Sequence, residues 1–182
     1  MIDKNEMLFV VDENNQPLDP MARHIAHKEG TWHRTAGIWV VSKTGKILCQ
    51  KRSLKKDKKP GFWEAFFGGH LGPDDTYLQT AKKELQEELG IPVEENQLIP
   101  YKVFKSDKPT HKEFQHVFAF LMVDERQEFL YEEDEVDELS WKTFAELEKI
   151  LIEDPDPKWV HKHWDKEVLD WLKTLAKTEF IS

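Results

Sequence analysis

Three glutamates fall within five positions of one helical segment, at Glu84, Glu87 and Glu88. At about 100° per residue, their side chains form one stripe roughly 100° wide along a helix. Oxygen ligands in this arrangement suit a hard divalent cation, and a metal of this kind supports phosphoryl chemistry. Paired acids are also common on solvated helix faces, so these residues alone do not identify a metal site.

The helix that carries these acids is predicted from about Thr76 to Leu89 and ends at Gly90. Apolar residues recur along it with the spacing of a face that packs on a core. This apolar stripe, centred roughly 115° from the acids, consists of Leu78, Ala81, Leu85 and Leu89. The helix is therefore predicted to pack against other elements and to present its carboxylates beside the packed face.

A basic segment precedes this helix. Between Lys51 and Lys59 it holds six positive charges and one negative charge, in a chain whose net charge is −9. Such a segment is either a solvated loop or a site for the phosphates of a polyanionic substrate. Its position just before the acidic helix favours the second interpretation.

Composition predicts a cytoplasmic enzyme with one domain over residues 1–182. A chain of 182 residues, of which 39% are hydrophobic, is long enough for one domain with its own core. It has no apolar run long enough for a membrane span or a secretory signal. The acidic excess argues against binding of a nucleic acid polymer. The single cysteine, Cys49, lies in a strand-like segment and is predicted to be a buried structural thiol.

Apolar runs predict a sheet with helices between and after its strands, which fits a layered sandwich better than a barrel of strands alone. Strands are predicted at Met7–Val11, Thr35–Val41, Ile47–Lys51, Leu98–Phe104, Glu113–Val123 and Glu135–Trp141, and further helices at Met21–Glu29, Phe144–Ile152 and Lys158–Ala176. On the last helix, Trp164 and Trp171 are predicted to share a packed face with Val160 and Val168. Trp63 is predicted to lie in a loop, where it could stack on a base or cover an isoprenoid tail.

From Gly69 to Ile91 the chain resembles the Nudix box, G-x5-E-x7-R-E-U-x-E-E-x-G-U, with U an aliphatic residue. The positions that match outright are Gly69, Glu84, Leu85, Glu87, Glu88, Gly90 and Ile91. Asp75 stands in place of a glutamate, and Lys83 in place of an arginine. The resemblance implies an α/β (α+β) fold, the Nudix-type α/β/α sandwich with a mixed β-sheet. It also implies hydrolysis of a nucleoside diphosphate linked to another moiety, X, with Mg²⁺ or Mn²⁺ held by Glu84, Glu87 and Glu88.

Over Leu8 to Trp141 the chain resembles the isopentenyl-diphosphate-isomerase-like branch of the superfamily. The residues that carry this resemblance are Trp32-His33-Arg34, Gln50-Lys51-Arg52-Ser53, Lys56 and Pro60-Gly61. In that branch the matching arginine and lysine contact a diphosphate, so Arg52 and Lys56 are candidate substrate ligands. Further candidates for substrate binding, at the entrance to the box, are Gly68, Gly69 and His70.

The general base that the family requires is either a box glutamate or a downstream acid, for which Glu113 is the candidate. The acidic run at 132–138 is predicted to be mostly a solvated loop, although one of its acids could reach the metals. His33, His70 and Glu113 resemble part of the isomerase metal site, whereas His27 and His111 depart from its pattern. Either a second, histidine-containing metal site exists, or His33 and His70 line the cleft or satisfy backbone groups.

Three functions remain open: diphosphate hydrolysis, isopentenyl-diphosphate isomerisation, and ligand binding without catalysis. The isomerases use a cysteine where this chain has Gly68, and Cys49 lies on another segment, so hydrolysis is favoured. Asp75 and Lys83 depart from the box, and these departures are why a binding protein without catalytic activity stays an alternative. The expected partner is a small-molecule diphosphate, and a homodimer is a further open prediction. The identity of X depends on loops that follow no fixed code.

Overall fold

The computed structural model describes residues 6–56, 58–109, 111–122 and 125–180. The strands in these ranges are β1 (Met7–Leu8), β2 (Met21–Ala22), β3 (His33–Ser42), β4 (Lys46–Arg52), β5 (Trp63–Glu64), β6 (Phe67–His70), β7 (Leu98–Lys108), β8 (His111–Met122) and β9 (Val136–Thr143). The helices are α1 (Arg23–Glu29), α2 (Tyr77–Leu89), α3 (Phe144–Glu148) and α4 (Asp165–Phe180), with a 3₁₀ turn at Glu95–Gln97 and a π-helical turn at Lys149–Glu153. In this part of the chain, no helix is long and apolar enough to cross a membrane.

A mixed sheet built around β3 and β8 positions the site. These two strands run parallel, from His33 opposite Glu113 to Ser42 opposite Met122. The other pairs of the sheet are antiparallel: β7 lies beside β8, while β4 and β6 both pair with β3. In the described residues, β4 pairs with β3 next to their turn, with Val41 opposite Ile47, and it pairs farther along with β5 and β9. This divergence leaves room for β6 beside the central strand.

Alternate residues of β3 pack into two apolar cores, one on each face of the sheet. Trp39 and Val41 belong to the core that contains residues of α3 and α4. Ile38 and Val40 belong to the core that contains the apolar stripe of α2. A strand buried on both faces explains the continuous apolar run in the sequence. Helices therefore cover both faces of a mixed sheet, which confirms the predicted α/β/α sandwich.

Helix α2 has the limits and the packed face that its sequence predicts. Thr76 caps its first turn: the Thr76 hydroxyl accepts the N–H of Gln79, and the Gln79 side chain accepts the N–H of Thr76. Gly90 ends the helix with a φ of 69°, a conformation that glycine adopts easily. The fully buried residues of its apolar stripe are Ala81, Leu85 and Leu89. Capping and packing together set the directions of the carboxylates.

The C-terminal helix begins later than predicted, at Asp165 instead of Lys158. The segment before it bonds to β5: the Trp63 N–H donates to the Lys158 carbonyl at 2.9 Å, and the Val160 N–H donates to the Trp63 carbonyl at 2.8 Å. The backbone groups of Lys158 and Val160 that bond to β5 are not available for helical hydrogen bonds, so this segment lies along the strand. Val160 is therefore not on the packed face of α4, and Trp63 lies in a strand instead of a loop.

Smaller differences concern the ends of other elements. The first predicted strand consists of β1 and two isolated bridges at Val10 and Val11. The helix predicted from Phe144 is confirmed, but it changes from α to π geometry at Lys149. Val123, the predicted end of a strand, and Asp57, in the basic loop, lie outside the described residues.

Candidate active site

One cleft, with a volume of about 720 Å³, brings together the residues that the sequence predicts for the site. Its walls come from α1, the loop after β4, β6, α2, β8 and the segment before α4. The predicted residues that line it are Arg52, Lys56, Gly68, Gly69, His70, Glu84, Glu87, Glu88 and Glu113. The basic loop and the acidic helix therefore face the same space.

Glu88 is the most deeply buried acid of the α2 stripe, with 5% of its surface exposed. Its Oε2 accepts the backbone N–H of Gly68 at 2.9 Å. Burial, followed by the charge of Glu84, raises the pKa of Glu88 to about 8. Burial, followed by the charge of Glu87, raises the pKa of Glu84 to about 7. Additional positive charge would keep this pair ionised, and a divalent cation between oxygen ligands would supply it.

Gly68 and Gly69 allow β6 to approach its neighbours closely. A Cβ on Gly69 would lie 2.1 Å from Oε1 of Glu84, and a Cβ on Gly68 would lie 2.1 Å from the carbonyl oxygen of Ala36. Gly68 has no room for a side chain, because the obstacle is backbone, and a side chain at position 69 would displace the Glu84 carboxylate. The two glycines therefore permit the carboxylates of α2 to lie directly against the strand.

Glu87 differs from its two neighbours because 48% of its side chain is exposed. Lys83, which replaces the arginine of the box, places its Nζ 3.7 Å from Oε1 of Glu87. An exposed pair of this kind contributes little to stability, and a lysine lacks the two parallel donors of an arginine. Asp75, the other departure, accepts the N–H of Gly72 at 3.0 Å and closes the turn before α2.

Arg52 and Lys56 are each paired with a glutamate that the sequence did not single out. Arg52 Nη1 lies 3.0 Å from Oε2 of Glu64, and Lys56 pairs with Glu135. Glu64 lies in β5, next to Trp63, whereas Glu135 belongs to the acidic run that we predicted to be mostly solvated. The two pairs hold both cations at the cleft.

Three histidines from different segments meet at one end of the cleft, namely His27 in α1, His33 in β3 and His70 in β6. One ring nitrogen of each lies within 4.8 Å of the others, a span that one metal ion can bridge. His33 Nδ1 lies 2.9 Å from the Thr31 carbonyl oxygen and therefore carries the ring proton. His33 Nε2 is then a buried lone pair, with no hydrogen-bond partner in the described residues. A backbone carbonyl behind an open ring nitrogen is how proteins orient metal-binding histidines.

Lys58 sets the position of a proton in this histidine cluster. Its Nζ lies 3.1 Å from Nδ1 of His27, and Nε2 of His27 lies 3.2 Å from Nε2 of His70. An ammonium group can only donate, so Nδ1 of His27 accepts and the ring proton on Nε2 is donated to His70. Burial, followed by the Lys58 charge, lowers the pKa of His27 to about 3. Burial also holds the pKa of His70 well below its usual range, so both rings are neutral near pH 7.

Glu113 is buried and engaged through both of its carboxylate oxygens. Lys162 Nζ lies 2.6 Å from Oε1, and His111 Nε2 lies 3.1 Å from Oε2. Burial by itself raises the pKa of Glu113, but Lys162 and His111 hold it well below its usual range. A carboxylate that is this strongly held in its ionised form is a weak proton acceptor. Lys162 was not predicted as a site residue, because its segment was predicted to be ordinary helix.

Cys49 and Trp63 do not line the cleft. Cys49 is fully buried in β4, within the core that contains residues of α3 and α4, and burial raises its pKa. The prediction of a buried structural thiol is confirmed. The Trp63 ring stacks on that of Trp159, with centroids 5.7 Å apart and planes 17° apart. One face of Trp63 is therefore covered by the protein itself.

A family model described as the NUDIX domain matches residues 31–172 of this chain. The chain belongs to the Nudix family. An uncharacterized Nudix hydrolase of Clostridium acetobutylicum is 30% identical to it over 155 residues, which are 81% of this chain and 75% of the relative. Isopentenyl-diphosphate Delta-isomerase 2 of Photorhabdus laumondii is 26% identical over 170 residues, which are 92% of this chain and 93% of the relative.

Among solved structures, DR0079 from Deinococcus radiodurans has the same fold as this Nudix protein. The TM-score is 0.73 at 18% sequence identity, over 92% of this chain and 99% of that chain. Both parts of the predicted resemblance, to the superfamily and to its isomerase-like branch, are therefore confirmed. Because relatives with both kinds of name occur, membership of the family does not decide the reaction, and the geometry of the cleft must be considered.

Proposed function

We propose that this Nudix protein hydrolyses a diphosphate linkage in a small organic substrate, with Mg²⁺ or Mn²⁺ as cofactor. The observation that carries the proposal is the pair of carboxylates, Glu84 and Glu88, which lie against β6 and have raised pKa values. Arg52 and Lys56 face the same cleft from the basic loop. Oxygen ligands and cations in one cleft suit a diphosphate bound together with a metal.

Glu84, Glu87 and Glu88 are the residues that would hold the cation. Their oxygens fit a hard ion, and the exposure of Glu87 leaves one side of the group open to water and substrate. A bound cation of this kind neutralises phosphate oxygens and lowers the pKa of water. The Gly68 N–H, which donates to Glu88, fixes the direction of that carboxylate before an ion binds.

We assign proton acceptance to a box glutamate instead of Glu113. Lys162 and His111 hold Glu113 in its ionised form and lower its pKa, so it is a weak acceptor for the proton of an attacking water. In the proposed reaction the water oxygen bonds to phosphorus, its proton passes to the glutamate, and the bond from phosphorus to the bridging oxygen breaks. Glu113 then has a positioning role, since it holds Lys162 at the wall of the cleft.

Arg52 and Lys56 are assigned to the diphosphate. They would hold its oxygens and offset the negative charge that moves onto the leaving phosphate. Their present partners, Glu64 and Glu135, keep both side chains at the cleft. The phosphate oxygens would then replace carboxylate oxygens as partners of groups that are already in position.

The histidine cluster supports a second metal site, made by His27, His33 and His70. Nitrogen donors suit a transition metal such as Zn²⁺ or Co²⁺ better than they suit Mg²⁺. The orphaned Nε2 of His33 and the 4.8 Å separation of the ligand atoms are the supporting observations. Binding through Nε2 of His27 requires its proton to move to Nδ1, and Lys58 must then leave Nδ1.

Isopentenyl-diphosphate isomerisation is the second candidate function, because several relatives carry that name. The cleft argues against it, since Gly68 stands where the resemblance places the catalytic cysteine and Cys49 is buried elsewhere. A silent binding protein is the third candidate. The weak Lys83–Glu87 pair, in place of an arginine contact, is the observation that favours it.

One set of assays separates the three candidates. Nucleotide, nucleotide-sugar and isoprenoid diphosphates should be incubated with the protein in Mg²⁺ and in EDTA, and the phosphorylated products measured. We expect at least one substrate to be cleaved in Mg²⁺ and none in EDTA. Conversion of isopentenyl to dimethylallyl diphosphate by the wild type, abolished in Cys49→Ser, would establish the isomerase. Tight binding without any conversion would establish the silent protein.

A further inference from the structure

The charges that line the cleft differ from those of the whole chain. The chain has 26 lysines and arginines against 35 acids, whereas the cleft is lined by eight lysines and arginines against seven glutamates. Five of these eight cations have a glutamate of the cleft within 4 Å. Lys59 and Lys108 are not among them, and neither has a carboxylate within 4 Å in the described part of the chain.

These two lysines come from separate segments that converge on the cleft. Lys59 lies in the loop after β4 with a φ of 49°, a conformation that is uncommon outside glycine. The loop is closed by the Gly61 N–H, which donates to the Arg52 carbonyl at 3.0 Å. Lys108 is the last residue of β7 and pairs with His111 across the hairpin. Neither lysine belongs to the Nudix box or to the predicted diphosphate ligands.

Lys162 adds a third cation to this part of the cleft. Its side chain is 11% exposed, and its Nζ lies 2.6 Å from Glu113, which fixes its position. The pKa of Lys59 is lowered first by burial, and then, against the opposing effect of Glu64, by the charges of Lys108, Lys162 and Arg52. The charges of Lys108, Lys162 and Arg52 therefore disfavour the charged form of Lys59, and an anion bound beside it in the same cleft would relieve that repulsion.

We propose that Lys59, Lys108 and Lys162 form a second anion subsite, which binds a phosphate or carboxylate that the substrate carries in addition to its scissile diphosphate. The inference rests on the proposed function, because it places the scissile diphosphate at Arg52 and Lys56. Lysines suit this task as compact charges that bind phosphate. An isoprenoid tail at this position would instead have to displace water from ammonium groups without giving them a partner. The preferred substrate is therefore polar and carries one anionic group beyond its diphosphate.

Matched pairs of ligands test the subsite. In each pair the two members differ by one anionic group: NADP⁺ and NAD⁺, coenzyme A and dephospho-coenzyme A, UDP-glucuronate and UDP-glucose. The first two pairs test a phosphate, and the third tests a carboxylate. Calorimetry with the wild-type protein in EDTA, in which we expect no cleavage, measures binding without turnover. For at least one pair we expect the more anionic member to bind about tenfold more tightly.

The double substitution Lys59→Ala with Lys108→Ala should reduce this preference to about twofold or less, while the less anionic member keeps its affinity. The matched control is Lys149→Ala with Lys177→Ala, which removes two exposed charges outside the cleft and should keep the preference. Equal affinities in all three pairs, no binding of any probe, or equal weakening of both members would each overturn the subsite.

Hydrolysis by the wild type distinguishes a failure of the subsite from a failure of the proposed function. If the wild type cleaves the less anionic members but binds both members of each pair equally, the proposed hydrolase activity is supported and the subsite is contradicted. If the double substitution abolishes a preference for the more anionic member and no diphosphate is cleaved, the subsite is supported and the proposed hydrolase activity is contradicted.

Discussion

The two ends of the cleft bury ionisable side chains with opposite consequences for a metal ion. At the carboxylate end, burial raises the pKa values of Glu84 and Glu88. At the histidine end, burial lowers those of His27 and His70. Burial favours the neutral form in both places. A neutral carboxylic acid holds a proton where a cation would bind, whereas a neutral imidazole keeps one bare nitrogen.

This contrast indicates that the two ends are prepared for different ions. At the histidine end, the ring nitrogens can bind a metal without losing a proton to solvent, once the His27 ring has changed its tautomer. At the carboxylate end, the carboxyl groups bind a metal best after they have lost their protons. Hard cations should therefore prefer the glutamates and transition metals the histidines. The two ends should also respond to pH in opposite directions.

The largest effect is expected from Glu88→Gln. It should lower turnover by at least about a hundredfold, or about 2.7 kcal/mol of barrier, because the change removes a charge from the carboxylate end. The amide oxygen can still accept the Gly68 N–H, so the protein should stay folded. Steady-state rates and a thermal melt measure both quantities. Near-normal activity in a folded variant would show that the glutamates do not form the catalytic metal site.

At the histidine end, His33→Ala should weaken Co²⁺ binding by at least about tenfold, as followed by visible absorption. Lys58→Met should have the opposite effect, since it frees Nδ1 of His27 to carry the ring proton. Lys28→Met, which removes an exposed charge beside His27, is the matched control. Unchanged Co²⁺ affinity in His33→Ala would show that the histidines do not form a metal site.

The contrast in pH response can be measured without any metal. Glu88 has a folded pKa of about 8, above its unfolded value, so the folded state binds more protons and its stability falls as pH rises from about 4.5 to 8. Glu88→Gln removes this loss. In EDTA at pH 8 the variant should melt higher than the wild type by roughly 5 °C or more, and the gap should close towards pH 4.5.

The histidine end provides the reverse test in the same buffers. His70 has a folded pKa well below 6.5, so the unfolded state binds more protons and stability falls as pH drops below about 6.5. The wild type should therefore be less stable at pH 5 than at pH 8 through this group. The difference in stability between the two pH values should be smaller in His70→Gln. Parallel pH profiles for this variant and for Glu88→Gln would contradict the opposite behaviour of the two ends.

The smallest effect is expected from Lys83→Arg. Arginine supplies two parallel donors for a box carboxylate where lysine supplies a single point charge, so activity should stay the same or rise by about threefold at most. Rates measured with a saturating cleavable diphosphate and Mg²⁺ would show this. Loss of turnover in a folded variant would mean that Lys83 has its own role in the cleft.

The sequence predicted best what is local to one element. The spacing of Glu84, Glu87 and Glu88 relative to Leu85 and Leu89 is a property of one helix, and the structure confirms the packing of that helix. Cys49 was likewise predicted from its own strand. The roles of the site residues, the single domain, the homodimer and the cytoplasmic location stay predictions.

What the sequence could not predict depends on contacts between distant segments. Glu64, Glu135 and Lys162 reach the cleft because other segments hold them there, and no motif marks them. The start of α4 was predicted too early because apolar residues near Val160 have helical spacing, whereas their backbone groups bond to β5. Propensity is a weak guide where tertiary hydrogen bonds decide the backbone conformation.

The Lys162–Glu113 pair joins residues that are 49 positions apart in the chain. During synthesis, the strand that bears Glu113 therefore leaves the ribosome well before its partner does. Until the chain has grown past Lys162, the wall of the cleft is open, and the buried carboxylate depends on water and His111 for compensation. A nascent chain that stops before this point lacks both Lys162 and α4, so we expect the cleft to be completed only after translation has passed this segment.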